Sequence, residues 1–168
     1  MNKIILIFLF FFSKICLSQF ETTNFSGFIQ TNDSVIFPYE IKVSRLGNLI
    51  EGHSISDKGG KSETKTAFII TKENGRLFFK EDKIVYTKAD YSTFDDFCLV
   101  TFESDEKRFF NSKRLTLDFK GVFNDNSPCI NGKLSLVSND FIQKSFSKTE
   151  KRISNSKILE KKFGDTLV

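Results

Sequence analysis

The sequence predicts a mainly β protein: an antiparallel up-and-down meander of eight or nine short strands, with a C-terminal helix or tail. Two observations carry this. Hydrophobicity alternates with a period of two along most of the chain, and clusters of turn-forming residues cut the alternation into short, closely connected stretches. At 168 residues, 39% hydrophobic and 27% charged, the chain holds one domain with a real core. Ordinary apolar content with few Gly and Pro excludes collagen-like, disordered and transmembrane-bundle classes. The 21 Phe and absent Trp fit AT-rich codon usage, so Phe abundance says little about function.

Residues 1–18 read as a cleaved export signal. Lys3 supplies the positive start, Ile4 to Phe12 is an unbroken apolar run, and Cys16-Leu17-Ser18 places small residues for cleavage before Gln19. Nine apolar residues reach only about 14 Å as a helix, against a hydrocarbon core of about 30 Å. Lipid attachment at Cys16 is the rival, but the lipobox positions before it hold Ser13, Lys14 and Ile15. The expectation is an exported protein (periplasmic, cell-surface or secreted) with no transmembrane span in its mature chain. Its mature charge is +2, with the last 27 residues near +4 and the body near −2. A nearly neutral body is no nucleic-acid surface.

The strands follow in order through residues 19–138. Candidates are 25–30, then Tyr39-Ile41-Val43 alternating with Glu40 and Lys42, then 49–55, 63–70, 77–81, 84–87 and 97–103. Leu115-Leu117-Phe119 and Ile130-Leu134-Leu136 alternate with polar partners and complete the set. Gly47-Asn48, Ser56 to Gly60, Asn74-Gly75 and Asn124 to Pro128 supply the turns. Gly27, Gly52, Gly121 and Gly132 inside strands favour a closed barrel over a two-sheet sandwich, because such glycines mark sharp bends. Charged residues on successive strand faces argue against an outer-membrane barrel. Residues 139–168 form the basic tail. Ser138 or Asp140 would cap a helix there, plugging or flanking the barrel; Phe141, Ile142 and Phe146 give it helical spacing to about residue 148, and a looser stripe of Ile153, Ile158, Leu159 and Phe163 extends it to 163.

Cys98 and Cys129 are the pair left in the mature chain, and export favours a structural disulfide between them. Two buried thiols are the alternative. A metal site built on two cysteines without His partners is not expected.

The chemistry of catalysis is sparse. His53 is the single His; it shares a strand face with Glu51 and Ile55, while Ser54 and Ser56 point away, so a local Ser–His pair is excluded. Gly60-Lys61-Ser62 imitates the end of a phosphate loop, but Ile55 stands where the first Gly belongs and a strand follows. Glu51, Glu63, Glu81, Asp95 and Asp96 are candidates for a carboxylate pair of the glycosidase type. Asn124-Asp125-Asn126 lacks the spaced ligands of a calcium loop and reads as a turn. Ser34 and Thr166 sit in Asp-Ser-Val and Asp-Thr-Leu tripeptides like bacterial O-glycosylation sites. Asn24 and Asn32 match N-linked sequons, which matter only in a eukaryotic secretory path.

A signal peptide followed by a disulfide-bearing antiparallel meander resembles the calycin-type secreted up-and-down barrels, lipocalins and avidins. Lipocalins carry Gly-x-Trp in the first strand; this chain has Gly27-Phe28-Ile29 there and no Trp. The resemblance covers residues 25–137, implies architecture only, and brings no biotin site and no binding residues.

The expected function is an exported, non-enzymatic binding or structural module of the bacterial cell envelope, contacting a protein or glycan through its loops, without cofactor or metal. The alternatives are a barrel that binds a small apolar ligand and a small hydrolase using a carboxylate pair. Bulky inward candidates (Tyr39, Phe68, Leu77, Phe79, Tyr86, Phe102, Phe119 and Phe123) favour a filled interior. Function then falls to loops 56–62, 88–96 and 104–113. The last of these places Lys107, Arg108, Phe109 and Phe110 together as a candidate partner contact, unless both rings fold back into the core.

Overall fold

The computed structural model describes residues 20–90 and 97–164, the last ten of these by their backbone alone. Eight strands form a closed antiparallel barrel in sequence order: β1 (Phe20–Thr31), β2 (Ile36–Leu46), β3 (Leu49–Ser56), β4 (Thr64–Glu73), β5 (Arg76–Thr87), β6 (Leu99–Asp105), β7 (Arg114–Val122) and β8 (Pro128–Ser138). Helix α1 (Glu106–Asn111) joins β6 to β7, and helix α2 (Asn139–Gly164) follows β8. The expected meander is present and closed. Residues 1–18, expected to be an export signal, and Asp95, Asp96 and Thr166 lie outside the described residues.

Closure depends on β1 pairing with β8, from Phe25↔Ser138 to Thr31↔Gly132. Gly27 and Gly132 sit on this joint because the backbones come too close for a side chain. A Cβ on Gly27 would overlap the Ser135 carbonyl, and one on Gly132 the Gln30 carbonyl. The Asn74-Gly75 hairpin has positive φ at both residues, as a type I′ turn requires.

Two expected strands, 77–81 and 84–87, are one. Strand β5 runs unbroken, and the register shows Asp82 and Val85 as single-residue bulges against β4. The bulges reset the alternation. Thr87 faces Thr64 through a 2.8 Å hydroxyl contact, whereas Tyr86 turns outward and is exposed. The inward placement expected of Tyr86 is therefore corrected.

Rings fill the barrel. Phe79 stacks on Phe102 at 4.5 Å, Phe68 meets both edge-on, and Phe25 meets Phe109 at 5.4 Å. Each such pair adds about 0.5–1.5 kcal/mol beyond the area it buries. The Cys98–Cys129 disulfide ties the start of β6 to β8, with Cα atoms 6.0 Å apart.

Helix α1 closes one end. Asp105 caps it by accepting from the Arg108 N–H at 2.8 Å, and its buried Phe109 and Phe110 enter the core. Arg45 lies over the Phe110 ring at 4.2 Å, and Lys72 pairs with Glu106 at 2.8 Å, so β2 and β4 hold the plug in place. Segment 104–113 is thus strand end and helix rather than an open loop. The aromatic half of the expected tip is core, while Lys107 and Arg108 remain exposed. Helix α2 does not plug the barrel: Phe141 and Ile142 are half-buried at its base, and its side chains are exposed from Gln143 to Ser154. Among the described residues no helix is long and apolar enough to cross a membrane.

Candidate functional site

The interior carries a polar cluster around one carboxylate. Glu81 continues the inward phase of Leu77 and Phe79, and it is the single buried carboxylate among the described residues. Its Oε1 accepts from the Tyr39 hydroxyl at 2.7 Å and from the Ser54 hydroxyl, and its Oε2 accepts from the Val100 N–H at 2.7 Å. The β5–β6 ladder runs from Arg76↔Asp105 to Lys80↔Thr101, so Glu81 receives the next β6 N–H with its side chain. Burial pushes the Glu81 carboxyl up, and the three donors oppose that shift. Burial and the neighbouring Glu81 charge raise the Tyr39 phenol well above its ordinary value. This cluster ties β2, β3, β5 and β6 together.

Among the described residues it holds no second carboxylate. Glu51 is exposed on β3. Glu63 lies at the barrel surface, bonded to Tyr86, Lys88 and the Gly59 N–H, which together hold its carboxyl at about 2. His53 faces outward between Lys42 and Ala67, and burial followed by the Lys65 and Lys42 charges lowers its imidazole. Ser54 faces inward, as alternation requires. No group of three metal-ligating side chains occurs among the described residues. Asp125 accepts from the Ser127 N–H and hydroxyl within the 124–127 turn. Ser34 is exposed at a hairpin tip, and Asn24 Oδ1 is buried beside a pocket of about 200 Å³ that His53 and Lys42 also line.

The larger concavity, about 970 Å³, lies along the wall of β4 to β8. Strand pairing places its side chains in rows. Lys80, Thr101, Lys120 and Asn131 stand directly opposite one another across β5, β6, β7 and β8. The adjacent row holds Phe78 opposite Glu103, and Asp118 opposite Lys133. Between these pairs the β6–β7 ladder has already ended, at Phe102↔Phe119, so the wall splits toward α1 and Arg108 lines the opening.

Five cationic and two acidic side chains line the groove. Arg76 pairs with Glu103 at 2.6 Å, whereas Lys120 and Lys133 form no ion pair among the described residues. Lys80 reaches Asn126 Oδ1 at 3.4 Å. The groove therefore keeps a surplus of positive charge on a body that is slightly acidic overall. Of the expected contact residues only Arg108 belongs to it. Lys80, Lys120 and Lys133 were not singled out by sequence, because each alone reads as the wet face of a strand.

The closed eight-stranded antiparallel barrel is consistent with a calycin-like architecture. No family model, curated protein or solved structure matches the chain, so neither the lipocalin nor the avidin family is assigned.

Proposed function

We propose that the chain is an exported, non-enzymatic binding module of the cell envelope, and that it holds an anionic ligand in the groove along β4 to β8. The observation that carries this reading is the cationic surplus of that groove, a concavity with low-dielectric walls that focuses positive potential. The filled interior supports it over the apolar-ligand alternative, since Phe25, Phe79, Phe102 and Phe109 occupy the barrel axis. Glu81, hydrogen-bonded and without a second buried carboxylate among the described residues, supports it over a carboxylate-pair hydrolase.

Retention on an immobilised polyanion tests the proposal. The protein starting at Gln19 is expected to bind and to elute with salt, and Lys80→Glu/Lys120→Glu to lose retention at an unchanged melting temperature. Equal retention of the variant contradicts the assignment of the groove. Ester or glycoside turnover abolished by Glu81→Gln contradicts the non-enzymatic reading.

A further inference from the structure

Resting on that reading of the groove, we propose that its occupant is an acidic polysaccharide chain laid across the row Lys80–Thr101–Lys120–Asn131, with a sugar ring against Phe78. Three features select a sugar polymer among anions.

The first is spacing. Lys80 and Lys120 are two strands apart with Thr101 between them, about 9–10 Å at the backbone. That spacing matches separated charges along a chain better than one compact anion, which would need the cations to converge.

The second is the hydrogen-bonding inventory. Thr101 donates its hydroxyl to the Lys120 carbonyl at 3.0 Å, which leaves its oxygen to accept from a ligand hydroxyl. Asn131, exposed at the end of the row, offers both a donor and an acceptor. Beside the row, half-buried Phe78 presents part of an apolar ring. Hydroxyls on the edges of a sugar and C–H groups on its faces match this alternation.

The third is what the wall lacks. An extended peptide recognised by strand addition needs a free strand edge. Every residue of this row is already paired across the wall, Thr101 and Lys120 on both sides. Along this row a peptide would therefore be held by side chains alone; the open strand edges lie beyond it, where β6 and β7 part after Phe102↔Phe119.

The test measures affinity of the protein starting at Gln19 for polygalacturonate, poly-glutamate and neutral dextran in one buffer. Wild type is expected to bind polygalacturonate at least tenfold more tightly than poly-glutamate, with no binding to dextran. Phe78→Ala is expected to weaken polygalacturonate binding several-fold and leave poly-glutamate unchanged, and Thr101→Val to do the same to a smaller extent. Lys80→Glu/Lys120→Glu is expected to abolish both, and melting curves verify that each variant is folded. Equal affinity for the two polyanions, lost together in the lysine variant, overturns the polysaccharide assignment while the anion-binding groove stands. Binding of neither polyanion, or binding indifferent to the lysine variant, overturns both.

Discussion

The inward and outward faces of β5, β6 and β7 are built from neighbouring residues and do opposite work. Phe79, Phe102 and Phe119 point in and close the barrel axis, while Lys80, Thr101 and Lys120, each one position along, point out and form the cationic row. Strand alternation alone separates them. The inner face therefore determines whether the barrel stands, and the outer face can vary without touching the core. Mutations should divide along the same line.

The largest effects belong to the inner face. Phe109→Ala removes the ring that joins α1 to Phe25 and Phe79, and should cost about 3–5 kcal/mol in denaturant unfolding. A cost under about 1 kcal/mol would mean that α1 is not a plug. Next, Cys98→Ser/Cys129→Ser opens a loop of sequence separation 31 and should lower stability by about 3–4 kcal/mol in the chain-entropy model. Unchanged melting on adding reductant to the wild type would contradict it.

Glu81 gives a smaller effect with a distinctive pH dependence. Its folded carboxyl is raised above the ordinary 4.5, so the folded state holds its proton more tightly than the unfolded chain does. The resulting stabilisation is complete below about 4.5 and is lost as pH rises through the raised value. Glu81→Gln keeps a carbonyl for the Val100 N–H and has no proton to lose. Its stability relative to wild type should therefore increase with pH across that window, whereas a constant difference would refute the burial argument. Lys80→Glu/Lys120→Glu should have the smallest effect, within about 0.5 kcal/mol, because both side chains are exposed. A larger loss would tie the outer row to the fold.

Much of the inner face was legible in the sequence. The alternation of Tyr39, Ile41 and Val43 and that of Leu115, Leu117 and Phe119 marks buried positions directly; the meander followed from such stretches with their short turns, and the preference for closure from Gly27, Gly52, Gly121 and Gly132. Glu81 also carried a signal, since it lies two residues beyond Phe79 in the inward phase. The bulges at Asp82 and Val85 did not, because each displaces a single residue and breaks the parity that the reading relies on. Phe109 and Phe110 are consecutive, so a loop reading exposes one or both; a short helix lying across the barrel end buries the pair. The groove was out of reach for another reason. Lys80, Lys120 and Lys133 come together through strand register over long sequence separations, and a net charge near neutrality conceals a local surplus.

Following backbone amides and methyl groups by NMR, while a short galacturonate oligosaccharide is added to the protein starting at Gln19, tests most directly whether binding lies on the wall. Binding on the wall shifts the Thr101, Lys120 and Asn131 amides and leaves the buried Leu77 and Leu134 methyls unmoved. Shifts centred on those interior methyls, with the wall amides silent, would contradict it.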